Sequence, residues 1–245
     1  MTEALNSVVS YEIQDGIAVV TVDSPPVNAL SAAVRQGIAA GIDKAQGDDA
    51  AKAILLICGG RTFFAGADIT EFGKPLVKPD LHDVQRQFEA STKLIVAAIH
   101  GTALGGGLEL ALVAHYRIAV PSAKLGLPEV HLGLLPGAGG TQRLPRIVGP
   151  KAALDLMVSG RPLGAGAAFK AGMVDRLADG TDLKTEALAY VAELLADGAP
   201  LKRIRDHEGR LAEAKDDPEL FARFRKENAR ALKGFKAPEL SLIHI

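Results

Sequence analysis

Two short strand-like runs, Val8 to Gln14 with mixed apolar and polar positions and the almost wholly apolar Ile17 to Val22, stand near the start of the chain, separated by Asp15-Gly16. An Asp-Gly pair between β-rich runs predicts a tight hairpin. SPPVNAL (24–30) reads as an extended, proline-restricted turn. Ser31 stands where an N-cap is needed, and Val34, Ile38 and Ile42 follow at helical spacing, so a helix to about Gln46 is expected. Ala53 to Cys58 is apolar throughout and predicts a buried strand, followed by the glycine-rich loop GGRTFFAGAD (59–68). The segment from Ile69 to Asp83 holds Pro75 and Pro79 and reads as a mobile loop or lid, with a helix from about Asp83 to Leu94. Ile95 to Ile99 is a second buried strand, HGTALGGG (100–107) a turn, and Leu108 to His115 a helix. Tyr116 to Val120 is a short strand, LGLPEVHLGLLPGAGG (125–140) a loop, and helices run from Thr141 to Ala171 before a last strand at Met173 to Arg176.

Strand, glycine loop and helix thus alternate, which argues for an α/β fold with parallel elements over residues 1–180. Residues 181–236 lack strand-like runs and are charged and helical in propensity, as expected of helices that cover the core or join subunits. Residues 237–245 read as a tail. Its SLIHI end is either a docking segment or a truncation scar. No repeat at solenoid periods is present.

Composition narrows the chemistry. A chain of 245 residues buries enough surface to fold without disulfides or metals, and its one cysteine, Cys58, ends an apolar run as a small core residue. The six histidines show neither HxxxH nor HExxH spacing, so no metal site is expected. A formal net charge of −1 lacks the basic excess of a nucleic-acid binder. No apolar stretch is long enough to span a membrane, and the polar, acidic N-terminus lacks the order of a signal peptide. A cytoplasmic address is the default expectation.

Two loops end in glycine clusters just before a helix, a geometry that aims free backbone N–H groups at a negative atom. The phosphate loop GxxxxGK[ST] is absent, and Gly137-Ala138-Gly139 is followed by Gln142 where a dinucleotide fingerprint needs glycine. HGTALGGG has a likeness to the oxyanion turn of esterases, yet GxSxG is missing. The remaining use is an oxyanion hole for a thioester enolate, formed by amides near Ala67 and Gly106 without a covalent nucleophile. Each such donor is worth about 3–4 kcal/mol to a transition state.

Such a hole needs acid and base groups beside it. Glu109 lies in the first turn of a helix within LELALVA, where an acid also serves the helix dipole. Glu129 lies between Pro128 and Val130 in LGLPEVHLGLLPG, where a surface turn acid is the plain alternative. Apolar surroundings raise a carboxyl pKa toward the range useful for proton transfer. Two such acids can hold one water, one deprotonating it and the other returning a proton to carbon.

At these residues the chain resembles the enoyl-CoA hydratase/isomerase (crotonase) family. The matching segments are PPVNAL (25–30), FFAGADITEF (63–72), IHGTALGGGLELAL (99–112), PEVHLGLLPGAGGTQRLPR (128–146) and AGMVD (171–175). The resemblance implies an α/β fold, a crotonase-like ββα superhelix with a C-terminal helical region, assembled as a homotrimer or hexamer. It assigns the oxyanion donors to Ala67 and Gly106 and the catalytic acids to Glu109 and Glu129. It places Ala65, Asp68 and Ile69 along the CoA moiety, Val27 and Ala29 on the opposite wall, and Gly137 near the substrate's C3 oxygen. The acyl-CoA thioester is substrate, with no further cofactor. The activity implied is hydration of trans-2-enoyl-CoA in fatty-acid β-oxidation, with Δ3,Δ2-enoyl-CoA isomerisation as the alternative and a non-catalytic CoA-ester or RNA-binding member as a third reading. The two-glutamate pattern looks most like the N-terminal hydratase/isomerase half of the multifunctional fatty-acid oxidation enzyme. The chain lacks that enzyme's dehydrogenase half, so either a fragment or a standalone relative is expected. Which glutamate protonates C2 stays open from sequence.

Overall fold

The computed structural model describes residues 1–245, apart from the side chain of Ala231. Strands β1 (Glu3–Ala4), β2 (Val9–Gln14) and β3 (Ile17–Val22) form an antiparallel meander, with the expected turn at Asp15-Gly16 between β2 and β3. Helix α1 (Ala32–Gly47) starts where Ser31 accepts a hydrogen bond from the Val34 N–H, so the N-cap reading holds. Strand β4 (Ala53–Cys58) then lies parallel to β3.

Helix α2 spans Leu81–Ala90, earlier than the expected 83–94. Asp80 and Asp83 form a reciprocal capping box that fixes its start, and Leu94 is claimed by strand β5 (Leu94–Ile99), where it pairs with Ala53 of β4. HGTALGGG is more than a turn. It contains strand β6 (Thr102–Leu104) and opens helix α3 (Gly106–Ala111), which is shorter than the pattern suggested. Strand β7 (Tyr116–Ala119) pairs with β5, and β8 (Lys124–Gly126) takes up the start of the expected loop. Helices α4 (Gly140–Val148) and α5 (Pro150–Ser159), strand β9 (Leu163–Gly164) and helix α6 (Ala165–Lys170) precede β10 (Arg176–Leu177), which begins where the expected last strand ends.

A seven-stranded sheet runs β1-β2-β3-β4-β5-β7-β10, and a three-stranded sheet runs β6-β8-β9. Each turn of chain places one strand in the large sheet, a short one in the small sheet, and then a helix. The sets are β4, the Phe64 bridge and α2; then β5, β6 and α3; then β7, β8 and α4. Successive turns stack in parallel register in both sheets, since Phe64 bridges Ala103 and β6 pairs with β8. This is the ββα superhelix. Its core is aliphatic, with Val19, Leu55, Val96 and Leu110 fully buried.

The C-terminal helices are not one separate layer. Helix α7 (Leu183–Ala196) packs on β4 and β5, and its Ala187, Tyr190, Val191 and Leu194 join the main core. Helices α8 (Ala212–Asp216), α9 (Leu220–Leu232) and α10 (Lys236–His244) pack instead around α5, where Leu154, Phe224 and Leu242 form a small second cluster. The expected tail from 237 is thus helical, docked through Leu242. Among the described residues, no helix is long and apolar enough to cross a membrane.

Candidate active site

The parallel strands deliver their following loops to one end of the superhelix, and a cavity of about 340 Å³ opens there. Its base is glycine. Gly105 has φ +52, which strains any other residue, and a Cβ added there would sit 3.2 Å from Oε1 of Glu129 and crowd the acid. Gly107 approaches the Phe64 carbonyl so closely that a Cβ would lie 2.5 Å from its oxygen. That contact seats α3 directly on the 63–67 loop.

The close seating brings two amides together. A Cβ on Gly106 would lie 3.7 Å from the Ala67 nitrogen. Among the described residues, neither the Ala67 nor the Gly106 N–H donates to a protein acceptor. The neighbouring Gly105 N–H is spent on the Gly126 carbonyl, and the Leu30 N–H on that of Gly66. Ala67 and Gly106 both line the cavity and can serve one carbonyl oxygen together.

Both glutamates face the same space. Glu109, 2% exposed, leaves the first turn of α3, and its Oε1 accepts 2.8 Å hydrogen bonds from the N–H groups of Ala138 and Gly140. Burial raises its pKa, while those two donors and the nearby Arg143 charge oppose the rise. Glu129 begins the 3-10 turn Glu129–Leu132. Burial, and then the charge of Glu109, push its pKa up to about 7. Its Oε2 is buried without a protein partner. One acid is therefore framed by donors that favour its charged form, and the other lacks them.

The remaining expected site residues divide. Ala65, Ile69 and Gly137 line the cavity. Val27, Ala29 and Asp68 lie outside its lining. The Val27 carbonyl accepts from Ala65 N–H and Thr62 Oγ1, and Asp68 caps the short 3-10 turn at Ile69–Glu71. The structure also adds residues that sequence reasoning missed. Leu81 and His82 of α2 line the cavity, as do Leu132 and Leu134, which are exposed at 69% and 42%. Gln85, buried in α2, donates from Nε2 to the backbone carbonyls of both Glu109 (3.1 Å) and Ala138 (2.8 Å). The capping box at Asp80-x-x-Asp83 was the available signal for α2, but not for the side it presents.

The loop after β4 is anchored from below. Arg35 of α1, 6% exposed, donates to the carbonyls of Leu30, Val77 and Pro79 and to Oε2 of Glu71 at 2.8 Å. Oε1 of Glu71 accepts from the Ala32 N–H at the start of α1. The segment read as a mobile lid is thus pinned at both ends, while Ile69 and Phe72 project, exposed, at the cavity mouth.

Comparison with known proteins agrees with this geometry. The chain is 50% identical over 198 residues to a peroxisomal bifunctional enzyme of Danio rerio, covering 80% of this chain and 27% of that protein. The chain thus spans about a quarter of that relative's length. It is 43% identical over 173 residues to a probable enoyl-CoA hydratase of Bacillus subtilis (strain 168), covering 68% of this chain and 67% of that one. A crystal structure of enoyl-CoA hydratase from Bacillus anthracis superposes with a TM-score of 0.72 at 29% identity, covering 77% of this chain and 76% of that chain. Relatives named for peroxisomes and glyoxysomes give no support to the expected cytoplasmic address. The model of the family described as enoyl-CoA hydratase/isomerase matches residues 12–223, and the chain belongs to that family.

Proposed function

We propose that this chain adds water across the double bond of trans-2-enoyl-CoA thioesters to give 3-hydroxyacyl-CoA, the hydration step of fatty-acid β-oxidation. The observation that carries this reading is the convergence, in one cavity, of two free backbone N–H groups with two buried glutamates of unequal environment. The thioester oxygen lies against the Ala67 and Gly106 amides, which take up its growing negative charge. Glu109, held as a carboxylate by Ala138 and Gly140, accepts a proton from water as the hydroxyl adds to C3. Glu129, the acid with the higher tendency to stay protonated, gives its proton to C2. Proton exchange then restores both groups. The exposed apolar rim of Ile69, Phe72 and Leu132 suits an acyl chain.

Glu129→Gln tests the reading with crotonyl-CoA, followed by loss of the conjugated thioester absorbance. Turnover is expected to fall by orders of magnitude with CoA-ester binding retained. Turnover like that of the parent chain would refute the assignment.

Isomerisation of 3-enoyl-CoA fits the same site through Glu129 alone, whose unpartnered Oε2 is free to take a proton from C2 and return one to C4. Glu109→Ala separates the two, abolishing hydration and sparing isomerisation if both occur. The expected trimer or hexamer, or a place within a larger multifunctional chain, belongs to the same proposal.

A further inference from the structure

A second cleft, of about 560 Å³, lies between the ends of β7 and α4 and the segment that follows α7. It shares no lining residue with the catalytic cavity. Its chemistry is basic. Arg117, fully buried, forms the floor and gives Nε to the Met173 carbonyl and Nη1 to that of Ala114. Asp175 is shared between Arg117 and Lys202, so one carboxylate faces two cations. Arg146 spends one nitrogen on the Gln142 carbonyl of its own helix. Among the described residues, no carboxylate pairs with Arg146 or with Arg210 at the rim. His207 stands beside them, and Ile204 supplies an apolar wall. With a net charge of −1 over the whole chain, this is a local surplus of about three positive charges on a concave surface.

One atom points further. Arg146 Nε is buried without a hydrogen-bond acceptor, whereas Arg117 Nη2 already lies 2.9 Å from Asp175 Oδ2. A buried guanidinium donor left unpaired is costly, and such a group in a folded protein calls for a partner. Beside Arg210, which has no carboxylate partner, it calls for an acceptor with several oxygens. The forked guanidinium matches phosphate geometry in particular.

We propose that this cleft binds a phosphate-bearing small anion, a diphosphate or phosphomonoester distinct from the thioester substrate. The proposal does not rest on the hydratase reading. Inorganic pyrophosphate is the probe, titrated calorimetrically into the full chain at low ionic strength. One site per chain is expected. Arg210→Ala and Arg146→Gln should each weaken binding at least about ten-fold without changing the melting temperature. Absence of binding heat, or the same affinity in both variants, overturns the proposal. A second arm measures KM for the acyl-CoA in Arg210→Ala. An unchanged KM is expected, whereas a ten-fold rise would make the anion the substrate's own phosphates and overturn the claim of a separate ligand.

Discussion

The backbone N–H of Ala138 donates to Oε1 of Glu109 over 2.8 Å, tying the 125–140 loop to the acid on α3. The Gly140 N–H meets the same oxygen, at the start of α4. Glu109 is thereby oriented by two elements other than its own. Glu109→Gln keeps an amide oxygen for both donors and loses the proton acceptor. Hydration is expected to fall at least about 100-fold, the usual scale of a lost general base, with the melting temperature little changed. Steady-state kinetics beside a thermal melt would check both halves.

Glu129 carries a clear pH signature. Its pKa rises from 4.5 unfolded to about 7 folded, so the folded state favours the protonated form. That contribution to stability is present below 4.5 and is lost as pH rises through about 7. Glu129→Gln should therefore match the parent chain near pH 4.5 and melt higher than it above pH 7. In the parent chain kcat/KM should fall above about 7, as the proton meant for C2 is lost. A pH-independent difference in melting temperature would contradict a raised Glu129 pKa.

Gln85 acts at one remove from the chemistry. It bridges the carbonyls of Glu109 and Ala138, and Arg143 Nη1 also reaches Ala138 at 3.0 Å. Gln85→Leu removes two buried hydrogen bonds and leaves the Glu109 carbonyl without that donor. Unfolding free energy should drop by about 1–3 kcal/mol, measured by denaturant titration. A positioning role further requires kcat to fall with KM nearly unchanged. A purely structural residue would leave kcat per folded molecule intact.

Arg35 holds the loop over the cavity mouth through four acceptors, Glu71 among them. Arg35→Met leaves the half-buried Glu71 and three carbonyls without their shared cation, at a cost of about 1–3 kcal/mol. Limited chymotrypsin digestion should then cut faster after the exposed Phe72 and Leu76 of this loop. An unchanged cleavage rate would show that the loop is held by other means.

Gly107→Ala tests the seating of α3. The new Cβ would sit 2.5 Å from the Phe64 carbonyl oxygen, a contact real side chains do not make. Shifting α3 or the 63–67 loop is expected to cost about 1–3 kcal/mol. The same shift parts the two free amides, so activity should fall more than stability.

Much of this was legible along the chain. The Asp15-Gly16 hairpin, the Ser31 cap and the all-apolar β4 and β5 follow from local pattern, because turn geometry, capping and strand burial are decided within a few residues. Glu109 and Glu129 stood out as charges in apolar company, and Ala67 and Gly106 as amides beside glycine clusters. Other features arise only when distant segments meet. The short strands β6, β8 and β9 have too few residues to announce themselves and exist through pairing with one another. Helix α2 turns Leu81, His82 and Gln85 toward a site whose two acids lie at least 24 residues away along the chain, and no local pattern names that side. The unequal environments of the two acids are likewise tertiary. From the chain alone Glu109 and Glu129 are equivalent glutamates in apolar runs. The donors that Ala138 and Gly140 bring to one of them, and withhold from the other, come from the packing of α4 against α3.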